Sequence, residues 1–272
     1  GGVSMIFNAK YLADNNVDYE KHELTEVVRS NKEDLLSIYT DFRKFADEDG
    51  DEISFKKEWY DYKTDGTVLF TSSRSEFLGL IKDNFVGDCK IIAYRNETVN
   101  GYNKFVRSIL FKDNKDKFAP GEKLIFTEPH MDIYNNNDEI IVVNVNKVQL
   151  PHPRNGVPYQ LYELTTKDGA VIYALHEDSQ SDYIKYFELQ KKGMSSTKKN
   201  WKAYYEDFKL FNPPVTYSYA ITVHKSQGST IQTCFVDMHD IYHTLSHVKP
   251  DSLEKTLYTA VSRASHKLYC YF

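Results

Sequence analysis

Apolar residues recur at helical spacing in HELTEVVRSNKEDLLSIYTDFRKF (22–45), where Leu35, Leu36, Ile38, Tyr39, Phe42 and Phe45 form one face. TVLFTS (67–72) and CKIIAY (89–94) are short, continuous apolar runs, the pattern of strands buried on both faces of a parallel sheet. SRSEFLGLIKDNF between them reads as a crossover helix. ETVNGYNKFVRSIL (97–110) reads as another, with Val99, Tyr102, Phe105, Val106 and Ile109 on one side. After residue 113 the pattern changes. EKLIFTE, EIIVVNVNKVQL, YQLYELTT and AVIYALH are strands punctuated by PG, NNND, PHPRNG and the hairpin signal KDG. A Lys-rich helical stretch runs to about residue 211, where Pro213 and Pro214 stop it. The first style then returns in SYAITVH, TCFVDM, a helix and KLYCYF.

This order predicts an α/β fold: a parallel sheet with flanking helices, interrupted by an antiparallel β-rich module (roughly 115–178) and the Lys-rich helical segment. The boundaries read as 1–112 for the first part of the α/β domain, 113–212 for the insertion and 213–272 for the second part. The last helix has a start signal at Asp251, with Glu254 as a capping-box partner. Leu253, Leu257, Ala260 or Val261, and Ala264 make its buried stripe. Arg263 falls off that stripe, free to point at a ligand or solvent.

At 272 residues and 41% hydrophobic content the chain can bury one large core or two modest ones. No run approaches the roughly 18–20 apolar residues of a membrane span. Cys89, Cys234 and Cys270 are isolated, which predicts free thiols and an intracellular protein. A net charge of −5 argues against a general polyanion binder while leaving room for a narrow nucleic-acid track. Acid gathers at 47–52 and base at 191–202. Only seven of the 34 basic residues are arginines, so each Arg carries weight.

One stretch joins a buried strand to a dense polar set: YAITVHKSQGST (219–230). With LTEVVRSN (24–31) before it and LYTAVSRA (257–264) after it, the chain resembles superfamily 1 helicases of the 5′-to-3′ branch, the Dda- and RecD-type enzymes. IIAYRNETVNGYNKFVR (91–107) is similar to that family's strand–helix element, with Asn96 at the turn. FAPGEKLIF and YNNNDEIIVVNV resemble its inserted SH3-like subdomain. The resemblance covers nearly the whole chain, in family order, and identifies it with the C-terminal half of such an enzyme: a second RecA-like motor domain interrupted by an SH3-like insertion.

The resemblance implies roles. Arg29 and Arg263 supply positive charge to the γ-phosphate of ATP, a task suited to planar, permanently charged guanidinium forks. Gln227, Gly228 and Ser229 lie near the ATP phosphates, Gly228 because it permits close backbone approach. Thr222, His224, Lys225, Ser226 and Asn96 contact single-stranded DNA through phosphates, without reading sequence. Many relatives carry Glu shortly after the glycine; Ser229 and Thr230 stand here instead, which leaves the contact to the nucleotide sugar open.

GxxxxGK[ST] does not occur in the sequence, and neither does an apolar strand ending in paired acids. The expected partners are therefore ATP and Mg2+ in a longer enzyme, its N-terminal RecA-like motor domain, single-stranded DNA and replication proteins. The chain is expected to be monomeric, without membrane contact, and inactive towards ATP alone. A non-catalytic nucleic-acid-binding or partner-docking module of the same fold, or an RNA-directed helicase, fits the same residues. Two metal-like patterns are weaker. Asp47, Asp49, Asp51 and Glu58 sit at calcium-loop offsets, but the glycine is misplaced, so a solvated loop is expected. His239, His243 and His247 share a helix face without a dependable further ligand. No metal site is predicted.

Overall fold

The structure is a computed structural model, and it describes residues 9–18, 29–47, 66–193, 198–248 and 252–272. The acidic loop 47–58, beyond the backbone of Asp47, lies outside the described residues, as do 24–28 of the first motif and the start signal Asp251. First in the chain come α1 (Ala9–Asp14), α2 (Glu33–Asp47), β1 (Val68–Thr71), α3 (Arg74–Asn84), β2 (Cys89–Ala93) and α4 (Asn96–Leu110). Next are β3 (Lys123–Phe126), β4 (Glu139–Pro151), β5 (Pro158–Thr166), β6 (Val171–Leu175), α5 (Glu177–Lys192) and α6 (Lys198–Phe211). Then follow β7 (Val215–Tyr217), β8 (Ala220–Thr222), α7 (Val223–Ser226), β9 (Ile231–Asp237), α8 (Met238–Val248), α9 (Leu253–Val261) and β10 (Ala264–Tyr271).

The continuous apolar runs form one five-stranded sheet in the order β1-β10-β9-β2-β8, with every pairing parallel. Its strands are buried on both faces because helices cover both. Leu35, Ile38, Tyr39 and Phe42 of α2 pack with Ile241 and Leu245 of α8 and Leu257, Ala260 and Val261 of α9 on one side. Phe77 and Ile81 of α3 pack with Val99, Tyr102 and Val106 of α4 on the other. The neighbouring strands β2 and β9 therefore send their following helices to opposite faces, which makes their carboxyl ends a topological switch point. A crevice of about 430 Å³ opens there, lined among others by Arg74, Arg95, Tyr102, Asp237, His239 and Asp240.

Interruption by a β-rich module is present as expected, as a second five-stranded sheet ordered β6-β5-β4-β3-β7 with antiparallel pairing. KDG makes the β5–β6 turn, with Gly169 at φ +89°, a backbone conformation glycine adopts without strain. The helical pair α5 and α6 closes over the β4–β5 hairpin through Tyr183, Phe187, Tyr204 and Phe211. Here the boundary read from sequence shifts. Val215–Tyr217 pairs with β3, so the second sheet extends past residue 212 into the segment assigned to the returning α/β domain. The reason is local: a strand directly after Pro213 and Pro214 meets β3 before the chain reaches the parallel sheet. Lys90 of β2 bonds Glu139 of β4 and Ser218, and Arg107 of α4 pairs with the fully buried Glu122, so charged groups as well as backbone join the two sheets.

Candidate functional site

Two clusters of the motif residues form on the parallel-sheet domain. The first is built where β8 ends. Thr222 caps a single helical turn, α7, its hydroxyl accepting from the Lys225 amide at 3.3 Å. YAITVH was read as one strand; the strand stops at Thr222, because the Thr222 side chain captures an amide the next strand bond would need. Asn96, the first residue of α4, lies across from it. Asn96, Thr222 and Lys225 line one groove of about 460 Å³, whose other wall is Ile125, Thr127 and Pro214 of the second-sheet region. His224 is exposed beside this groove, its ring 5.5 Å from that of Tyr94.

Ser226 is the exception among the predicted DNA contacts. It has no exposed surface, and its hydroxyl donates to the Val223 carbonyl at 2.7 Å, so it shapes the turn from within. Its carbonyl in turn accepts the Ser229 hydroxyl at 2.6 Å and the Ser229 amide at 3.1 Å. Gln227 and Gly228 are exposed beyond it. Gly228 has φ +89°, and a Cβ placed there meets no atom within 4 Å. The glycine is required by backbone conformation here, not by a crowding neighbour.

The second cluster brings together residues far apart in sequence. Arg29 donates through Nε to the Thr230 hydroxyl at 3.2 Å and through Nη1 to the Ser262 carbonyl. Arg263 donates through Nη2 to the Ser262 hydroxyl at 2.9 Å and through Nε to the Thr259 carbonyl at 2.8 Å. Both guanidiniums thus hold the same serine. The expectation that Arg263 is free is corrected. It is 8% exposed, because α9 ends at Val261 and the side chain folds back onto that helix's unsatisfied carbonyls. Each arginine still has N–H groups beyond those two bonds, since a guanidinium carries five.

Three of the other arginines are ion-paired. Arg95 meets Asp240, Arg107 meets Glu122 and Arg154 meets Asp207. Arg29 and Arg263, like Arg74, have no ion pair to a carboxylate among the described residues; the two share Ser262. Burial first, and the Arg29 charge second, lower the pKa of Arg263 from its ordinary value. Two cations held together in partly buried surroundings are a preformed place for an anion.

Sequence reading missed Thr230 and Ser262, the shared anchors, and Asp240, which accepts from the Tyr94 amide at 2.8 Å, the Arg95 amide at 2.9 Å and the Thr98 hydroxyl at 2.7 Å. An acid two residues after VDM, at the start of a helix following a strand, was the available signal. Ser252 is the N-cap of α9, with no side-chain cap bond. The His239 and His243 rings are tilted against each other with centroids 4.2 Å apart, and among the described residues no group of three His, Cys, Asp or Glu side chains is placed to hold a metal ion. No helix among them is long and apolar enough to cross a membrane.

Residues 217–271 match the model of the UvrD-like helicase C-terminal domain. The matched residues contain ITVHKSQGST and LYTAVSRA, whereas LTEVVRSN lies outside them. Among curated proteins, the chain is 24% identical over 290 residues to the ATP-dependent DNA helicase dda of Enterobacteria phage T4, covering 93% of this chain and 62% of that protein. It is 22% identical over 320 residues to the uncharacterized protein R530 of Acanthamoeba polyphaga mimivirus, covering 92% and 63%. The chain thus spans less than two thirds of the length of these relatives. Of solved structures, the Pif1 helicase from Bacteroides in complex with ADP-AlF3 and ssDNA aligns over 92% of this chain and 51% of its own, at 16% identity and a TM-score of 0.43.

Proposed function

We propose that the chain is the second, C-terminal motor lobe of an ATP-dependent 5′-to-3′ DNA helicase. Arg29 and Arg263 face the γ-phosphate of an ATP whose other phosphate contacts, with Mg2+, belong to an N-terminal lobe of the same protein. Gln227, Gly228 and Ser229 lie on the same loop as Thr230, which anchors Arg29, so the nucleotide passes along this edge. Asn96, Thr222, His224 and Lys225 form the backbone track for single-stranded DNA, with Ser226 supporting the turn. On this reading ATP binding draws the two lobes together and shifts the DNA track, and hydrolysis releases it. The insertion, 113–212 together with β7, is an SH3-like subdomain carried by this lobe. The protein works as a monomer with single-stranded DNA and replication proteins in the cytoplasm, and the chain alone does not hydrolyse ATP.

The observation that carries this reading is the pairing of two arginines on Ser262 with no carboxylate between them. Charge-stabilising arginines are worth about 10³–10⁵ in phosphoryl-transfer rate elsewhere. In the full-length protein, Arg263→Ala should therefore lower DNA-stimulated ATP turnover by about a thousandfold or more, with single-stranded DNA affinity kept. Unchanged turnover rejects the assignment. A full-length protein that binds DNA and never turns over ATP would instead be a docking module on this fold.

A further inference from the structure

We propose that Tyr39 is a positioning residue for Arg263, its hydroxyl fixing the backbone turn from which that guanidinium is presented. The role rests on the reading of Arg263 as a phosphate contact. Four successive carbonyls, from Ser262 to Ser265, are each taken by a donor from outside the turn. The Ser262 carbonyl accepts from the Arg29 guanidinium and the Arg263 carbonyl from the Ile231 amide at 2.9 Å. The Ala264 carbonyl accepts from the Tyr39 hydroxyl and the Ser265 carbonyl from the Ser30 hydroxyl at 2.7 Å. Peptide planes held at every step cannot rotate, so the direction in which residue 263 leaves the backbone is set by these partners.

The four bonds are not equivalent. Arg29 and Ser30 are half-buried, and water can replace either donor if it is lost. The Ile231 bond belongs to the approach of β9 to β10. Tyr39 is 1% exposed and Ala264 has no exposed surface, so nothing can substitute for that hydroxyl. Burial, the largest influence on it, raises the Tyr39 pKa above its ordinary value, which keeps the group a donor at any physiological pH. The ring is fixed in turn by α2, whose Leu35, Ile38 and Phe42 share its core. A rigid helix thus holds a rigid turn under a side chain whose placement sets a rate.

Tyr39→Phe tests this, since it removes one oxygen and keeps the ring in the core. In the full-length protein we expect kcat for ATP to fall about 10- to 100-fold, as for a catalytic group displaced by a fraction of an ångström to an ångström. KM for ATP and affinity for single-stranded DNA should hold. Ser30→Ala should give a smaller loss in kcat. A second readout needs no turnover. In the chain alone, Arg263 should react with phenylglyoxal several-fold faster in Tyr39→Phe than in the parent, measured by peptide mass spectrometry at a temperature where both are folded. Unchanged Arg263 reactivity, or a kcat equal to the parent's, overturns the proposal, even if the variant melts earlier, because Tyr39 is then only a core residue. If the parent full-length protein lacks DNA-stimulated ATPase, the helicase reading fails, and Arg263 reactivity alone decides whether Tyr39 orders the turn.

Discussion

Replacing Asp240 with Ala removes one carboxylate and four hydrogen bonds together. It is 2% exposed and accepts from the Tyr94 amide, the Arg95 amide, the Thr98 hydroxyl and, at 2.6 Å, the Arg95 guanidinium. A hydrogen bond to a charged group contributes about 1.5–3 kcal/mol net. The four do not add. Arg95 has 56% of its side chain exposed, so its ion pair contributes at most about 1 kcal/mol. The Arg95 amide is also close to water, whereas the Tyr94 amide and the Thr98 hydroxyl are half-buried. A loss of about 3 kcal/mol follows, or roughly 6–12 °C in Tm for a domain of this size. Urea titration followed by far-ultraviolet circular dichroism measures it, with the slope unchanged between parent and variant. A loss below about 1 kcal/mol would show that water replaces the carboxylate and that the lead into α4 does not depend on it.

The same residue has a pH signature. Burial alone would raise the Asp240 pKa; the Arg95 amide, Thr98 hydroxyl, Arg95 guanidinium and Tyr94 amide outweigh it and hold the value below the ordinary 3.8. A carboxylate depressed in the folded state stabilises above its unfolded pKa and loses that contribution as pH falls through the folded value. The gap between parent and Asp240→Ala should therefore be full at pH 5 to 7 and shrink only below about pH 4. Asp237, raised chiefly by burial, has the opposite sign and gains stability for the fold as pH falls towards its own pKa.

Two further outcomes follow from the motif loop. Gly228→Ala should cost about 1–2 kcal/mol in thermal unfolding through its left-handed backbone, with Gly228→Asn milder, since open space around the Cβ position leaves no clash to add. In the full-length protein, Lys225→Ala should weaken single-stranded DNA binding uniformly across sequences and flatten the log K against log salt slope by about 0.7. An unchanged slope would take Lys225 off the phosphate track.

The parallel sheet was legible because five short apolar runs, buried along most of their length, leave a plain trace, and KDG announced its hairpin. Val215–Tyr217 was not legible as part of the second sheet. Three residues carry too little periodicity, and their partner β3 lies about ninety residues away in sequence. Short-range reading also gave no sign that the Thr222 hydroxyl accepts the amide three residues on. Arg263 and Ala264, read as part of the last helix, lie past its end at Val261, and polarity alone does not reveal that a guanidinium can be buried against helix-end carbonyls. The meeting of Arg29 with Thr230 spans 201 residues, and nothing in either local pattern points to the other.

Asp237 and Asp240 stand at the carboxyl ends of the sheet, where the loops and helix starts of α/β domains commonly receive a ligand's phosphate. Asp240 accepts the amides leading into α4, and Asp237 accepts the Asp240 amide at 2.8 Å and the Tyr102 hydroxyl at 2.7 Å. A tethered carboxylate never dissociates, so the contribution of these bonds to stability is independent of any ligand concentration. The lead into α4 is thus held by the chain's own carboxylate, whatever the surroundings contain.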